Sequence, residues 1–325
     1  VKENSMIGIL RATCKIFAVS TLLITFITHS LAVSANTPDN VLVVGQIAEP
    51  KSLDPATVTA VNDFRILMNM YDGLVRYKSG SLEVEPALAK SWEISNGGTT
   101  YTFTLKSGIK FHDGSNLDAD AVKFNFDRML DESHPYHDTG PFPLSFFFSA
   151  IEKVEVISSD KIKFTLNAPY APFLSNLAYP TGLIASPEAI KNNGSDFGRN
   201  PVGTGAFKFK SWKANEAVIV DRNDNYWDGK SGSKTIVFRP ITDGNTRVAE
   251  MLSGGIDMMV EVPPISLSKF QSNDFSIAEQ AGPHVWFLIL NAKEISSVSF
   301  VGSTPVAKHI YQECAKIGKL SLIHI

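Results

Sequence analysis

Residues 85–129, EPALAKSWEISNGGTTYTFTLKSGIKFHDGSNLDADAVKFNFDRM, admit one local architecture: two strands and then a helix. The pattern predicts a short strand from Ser91 to Ile94. Asn96-Gly97-Gly98 follows with residues that tolerate positive φ in a turn. From Tyr101 to Leu105 the chain alternates, with Tyr101, Phe103 and Leu105 on one face and Thr102 and Thr104 on the other. A second turn at His112-Asp113-Gly114 leads to Asp118. This residue is a good N-cap for a helix whose Val122, Phe126, Met129 and Leu130 fall at helical spacing.

Similar punctuation continues on both sides. Upstream lie Gln46-Ile47-Ala48-Glu49-Pro50-Lys51-Ser52-Leu53-Asp54-Pro55 and Tyr71-Asp72-Gly73-Leu74. Downstream lie Pro201-Val202-Gly203-Thr204-Gly205-Ala206-Phe207 and Asn225-Tyr226-Trp227-Asp228-Gly229. In this order the segments resemble the landmarks of family 5 of the extracytoplasmic solute-binding proteins, which serve peptide ABC importers. That family also includes binders of nickel chelates, opines and glutathione. The resemblance covers residues 40 to 293, roughly. It implies an α/β, periplasmic-binding-protein-like (type II) fold of two lobes, with a strand-rich subdomain inserted in the first. Lobe I is then 36–83 and 200–282, the insertion 84–199, and the start of lobe II 283–294, with a hinge near Gln280 to His284. In such a fold, ligand is trapped as the lobes close.

After Lys293 the family continues with an arginine-rich turn and a helix, which this chain does not match. Residues 295–325 therefore read as a non-family tail, from a shifted or truncated reading frame or as a natural variant. On that reading the second lobe is largely missing, together with the aspartate that family members use to bind a peptide's α-amino group. Binding is then expected to be weakened, because a single lobe keeps only part of a cleft's contacts.

The remaining sequence agrees with an exported binding protein. Lys2, Arg11 and Lys15 precede an apolar core from Ile16 to Ile27, and Val33-Ser34-Ala35 is a small-residue cleavage site. Residues 1–35 thus read as a cleavable signal peptide that directs the chain to the periplasm. The apolar run is short of the ~20 residues a membrane span needs. Cys14 leaves with that segment, so Cys314 has no intrachain partner. A net charge of −3 gives no basic stripe for nucleic acid.

Strand and helix signals alternate along the rest. Strands are expected at Val41 to Gly45, Ile151 to Ile157, Lys161 to Leu166, Phe207 to Trp212, Ala217 to Arg222, Lys234 to Arg239 and Ile256 to Val260. Asn62 or Asp63 is expected to cap a helix with Phe64, Leu67, Met68 and Tyr71 on one side. Ser186-Pro187 opens another helix, and Thr246 to Leu252 a third, stopped by Gly254-Gly255. The last strand–helix–strand run suggests a parallel crossover.

No catalytic, metal or cofactor centre is expected. His134-x-x-His137-Asp138 has ligand-type residues, but Pro135 and Gly140 break any helix that would align them. Gly203-x-Gly205 precedes a strand, whereas phosphate loops precede a helix. Asp118 and Asp120 are explained by helix capping. A secreted hydrolase, the reading from another functional class, lacks any nucleophile–base arrangement.

The binding candidates are mutually consistent. Thr59, Ala60 and Val61 follow the Ser-Leu-Asp-Pro turn, where the resemblance implies backbone presented to a bound peptide; an ordinary loop before a helix is the alternative. Phe146, Phe147 and Phe148 are more aromatics than one buried face absorbs, so at least one is expected on a cleft wall. Gly282 and His284 fall at the implied hinge. Trp286 faces either the cleft or strand packing. The expected function is periplasmic capture of di- or oligopeptides, by a monomer, for delivery to the permease of an ABC importer. A nickel chelate, opine or glutathione is the alternative ligand.

Overall fold

The computed structural model describes residues 38, 40–272, 274–278, 297–301 and 320–324. Residues 1–35, Gly282, His284 and Trp286 lie outside the described residues. The chain divides into two units at residues 278 and 279. In the second, strands Ser297–Val301 and Leu320–His324 pair in parallel.

The first unit opens with β1 (Val41–Gln46) and α1 (Val61–Met70). Short strands β2 (Val75–Tyr77) and β3 (Val84–Pro86) pair antiparallel. Then come β4 (Ala89–Ser95), β5 (Thr100–Leu105), α2 (Ala119–Leu130), β6 (Ile151–Ser158) and β7 (Lys161–Leu166). These four strands form an antiparallel sheet in the order β4-β5-β7-β6. The alternation read from the sequence holds, since Tyr101, Phe103 and Leu105 are buried and the intervening threonines are not. Tyr101 lies opposite Phe164 and Phe103 opposite Ile162, so both strands send aromatic or branched residues to one face. Asp118 caps α2 by accepting from the Ala121 N–H at 2.8 Å, and Val122, Phe126 and Met129 are buried. The Phe126 ring meets Phe164 edge-on at 4.9 Å and Phe148 at 5.2 Å.

Two short helices, α3 (Phe173–Ala178) and α4 (Pro187–Asn193), lead to β8 (Phe207–Lys213), β9 (Ala217–Arg222), β10 (Thr235–Pro240), α5 (Gly244–Ser253) and β11 (Met258–Met259). With β1 they make a five-stranded sheet in the order β11-β1-β10-β9-β8. β1 runs parallel to both β10 and β11, so α5 is the crossover expected from the strand–helix–strand pattern. Val44, Phe64, Leu67, Met70, Val220 and Phe238 pack in its core.

Three local expectations fail. No side chain caps α1; its N-cap is Ala60, and Asp63 turns away to accept the Lys51 N–H at 2.9 Å. Met68 is 61% exposed, because the buried face of α1 is centred on Ile66, Leu67 and Met70. The strand expected from Ile256 to Val260 shortens to two residues. Ile256 is instead buried, its side chain against Gly45.

The landmark segments turn out to bind one another. The Asp72 carboxylate accepts from the Thr204 hydroxyl at 2.7 Å, the Tyr226 hydroxyl at 2.8 Å and the Trp227 indole N–H at 3.0 Å. Three separate segments therefore meet at one carboxylate. Burial raises its pKa, and the three donors offset part of that rise. Gly203 and Gly205 are needed by close approach rather than by a ligand. A Cβ on Gly205 would lie 2.5 Å from the Met70 carbonyl carbon, and one on Gly203 would meet the Met70 oxygen.

Candidate functional site

The residues from Ser52 to Ala60 form a loop clamped at its base that leads into α1 at Val61. Leu53 and Asp54 are buried. Asp54 accepts the Ala56 N–H at 3.0 Å through Oδ1 and an Arg128 Nη2–H at 2.5 Å through Oδ2. Arg128 also donates to the Thr139 hydroxyl at 2.7 Å, and its guanidinium lies 5.1 Å from the Phe142 ring centre. The Tyr71 hydroxyl donates to the Leu53 carbonyl at 2.8 Å, and burial holds that phenol in its neutral form. Asp54 thus fixes the turn from inside, with its charge met by an equally buried partner from α2.

Beyond this base the loop emerges. Thr59 is exposed, Ala60 half-buried and Val61 38% exposed. The N–H groups of Asp63 and Phe64 donate to the Ala60 carbonyl at 3.0 and 3.2 Å. The N–H groups of Val61 and Asn62 find no acceptor among the described residues. They are orphan donors of a helix start, the kind of group that a side-chain cap or a ligand satisfies. The missing cap is therefore also what leaves these two donors without a side-chain acceptor.

The phenylalanine run divides as the sequence suggested. Phe148 is fully buried, Phe147 half-buried, and Phe146 60% exposed. A file of four rings connects Phe146 with α1. Phe146 meets Phe147 at 4.7 Å, Phe147 meets Tyr179 at 5.3 Å, and Tyr179 meets Phe64 at 5.4 Å, each edge-on. Phe64 follows Val61 by one helical turn, so the two share a face of α1. The ring file thus runs from the exposed Phe146 to the buried Phe64, one helical turn after Val61. The sequence reading missed Tyr179, the link between them. Its only signal was an aromatic residue placed just before Pro180, at the end of α3.

The other candidates disperse. His137 Nδ1 is paired with the Arg128 carbonyl at 3.0 Å, while His134 accepts the Tyr136 N–H at 3.3 Å and packs edge-on against Phe124. No group of three His, Cys, Asp or Glu residues is placed to hold a metal among the described residues.

Known proteins match over much of this chain. The family described as bacterial extracellular solute-binding proteins, family 5 Middle, matches residues 83–309. The match thus runs past Lys293, where the resemblance read from the sequence stops. The probable D,D-dipeptide-binding periplasmic protein DdpA of Escherichia coli K12 is 33% identical over 267 residues, covering 79% of this chain and 50% of that protein. Heme-binding protein A of Haemophilus influenzae is 31% identical over 277 residues, with the same coverage of 79% and 50%. The solved periplasmic binding protein DppA of Helicobacter pylori, in complex with the peptide STSA, is 34% identical with a TM-score of 0.67. That alignment covers 71% of this chain and 48% of the other. The chain spans about half the length of the curated relatives it matches.

Proposed function

As the chain belongs to the bacterial extracellular solute-binding proteins of family 5, with the α/β fold of type II periplasmic binding proteins over the matched part, we propose that it binds short peptides in the periplasm for an ABC importer. The observation that carries the peptide reading is the uncapped start of α1. Two adjacent backbone N–H groups, at Val61 and Asn62, find no acceptor among the described residues, and the ring file ends on Phe64 of the same helix. Backbone donors suit a peptide because they engage main-chain carbonyls whatever the side chains. The ligand-bearing surface belongs to lobe I, taken as 36–83 and 200–282 with 84–199 inserted. This division is supported by the two sheets, since β4 to β7 fall within the insertion and β1 with β8 to β11 outside it. Residues 1–35 are removed as a signal peptide, and the protein acts as a monomer that hands its solute to a membrane permease.

Proline at position 61 tests the site without disturbing the helix. Val61 is the first residue of α1, where proline's fixed φ is tolerated and no intrahelical hydrogen bond is lost. Ala60 already has φ −93° and ψ 141°, the extended conformation that a residue before proline prefers. Val61→Pro therefore deletes one donor and little else. An NMR titration with trialanine should show affinity lower by about fivefold, the worth of one neutral hydrogen bond. Unchanged affinity in a folded variant would remove Val61 from the site. Binding of glutathione or nickel–histidine in preference to trialanine would overturn the peptide reading.

A further inference from the structure

Resting on the peptide-binding reading above, we propose that Phe146 and Phe147, backed by Tyr179, select peptides that carry an aromatic or large aliphatic side chain. An isolated exposed phenylalanine is ordinary on a protein surface. Phe146 differs in how firmly it is held and in what it adjoins. It sits in a short 3₁₀ turn, Ser145–Phe148, pinned by the fully buried Phe148. Its carbonyl accepts the Ser149 hydroxyl at 2.8 Å, and the Phe147 carbonyl accepts the Asn176 side-chain amide at 2.8 Å. On the other side of the ring, the Ser145 N–H donates to the Phe142 carbonyl at 3.0 Å, so the backbone of the turn is tied both before and after Phe146. The ring itself is fixed edge-on to Phe147 at the outer end of the four-ring file. An apolar surface immobilised before ligand arrives loses little further conformational freedom on binding.

The electrostatics favour the same ligand class. The ring file is Phe146, Phe147, Tyr179 and the buried Phe64, which lies one helical turn after Val61, and none of these is charged. Burial raises the Tyr179 phenol above its ordinary pKa, which keeps it neutral. A charged ligand side chain laid here would lose hydration without gaining a counter-ion. An aromatic one would extend the edge-to-face file by a further ring. Main-chain recognition at Val61 and Asn62 and side-chain selection at Phe146 are therefore separate tasks at the two ends of the ring file.

The test uses the purified chain and four tripeptides: Phe-Ala-Ala, Ala-Phe-Ala, Ala-Ala-Phe and trialanine. The expected result is that at least one phenylalanine-bearing peptide binds about tenfold more tightly than trialanine. Phe146→Ala should abolish that advantage, so that the phenylalanine peptide and trialanine bind the variant alike, and Phe146→Leu should keep part of it. The exposure of Phe146 leaves both variants able to fold, which circular dichroism checks. Equal binding of all four peptides by the unmodified chain would overturn the selectivity and leave the peptide reading standing. So would an equal loss across the set in Phe146→Ala. Failure of all four to bind would overturn both.

Discussion

Arg128→Ala is expected to cost about 3–5 kcal/mol of stability, because it strands a buried carboxylate. Asp54 is 2% exposed and Arg128 1%. Neither reaches enough water to regain hydration when its partner is cut away. The guanidinium also spans two acceptors, Asp54 Oδ2 and Thr139 Oγ1, which a shorter or unforked side chain does not reach together. Arg128→Lys should therefore rescue little of the loss. The pair joins α2 to the loop that carries Thr59–Val61, so the damage falls on the scaffold of the site as well as on the core. Urea unfolding of Arg128→Ala, Asp54→Ala and the double variant checks this. The double variant should be less damaged than the sum of the singles, since removing both charges leaves no unpaired ion. A loss below about 1 kcal/mol in Arg128→Ala would show that water reaches the pair.

Acid should destabilise the protein through His112. Its Nε2–H donates to the Gly205 carbonyl at 2.9 Å, and its backbone N–H to the Gly203 carbonyl at 2.8 Å, while Nδ1 is buried without a partner among the described residues. Burial is the main reason its pKa falls from 6.5 to about 4, with Lys208 adding to the fall and the Gly205 bond and Asp113 opposing it. The unfolded chain takes up this proton near pH 6.5 and the folded chain only near pH 4. Stability from this residue is therefore complete above pH 6.5 and drains away as the pH falls toward 4. The total is about 3 kcal/mol. Asp63 and Asp72, whose carboxyls are raised by burial, act in the opposite sense. His112→Gln keeps an amide donor for Gly205 and cannot titrate, so the difference between the two proteins isolates the histidine. Parallel stability curves between pH 6.5 and 4 would contradict this assignment.

Much of the fold is legible in the sequence because its signals are local. The Asp118 cap, the alternation from Tyr101 to Leu105 and the Ser186-Pro187 helix start each need only a few neighbouring residues, and each is found where it is expected. The order of the landmark segments is legible too, but not their purpose. Asp54 with Arg128, and Asp72 with Thr204, Tyr226 and Trp227, are contacts across many residues of chain that no local pattern reveals. These contacts hold the scaffold together. At the site the error at α1 is instructive. Asn62 and Asp63 look like caps, yet the helix starts one residue after Ala60 and leaves bare N–H groups where a cap is expected. Tyr179 was missed because its role depends on lying between Phe147 and Phe64, which are distant from it and from each other in sequence.

Amide-resolved NMR titration of the chain with Ala-Phe-Ala addresses the site most directly, since it reads weak binding and reports each N–H separately. The largest shifts are expected at the Val61 and Asn62 amides, with accompanying changes at Phe146, Phe147 and Tyr179, and saturation to a single affinity. Saturable binding that moves other amides and leaves 59–62 and 146–147 untouched, or no binding at millimolar peptide, would contradict the site proposed here.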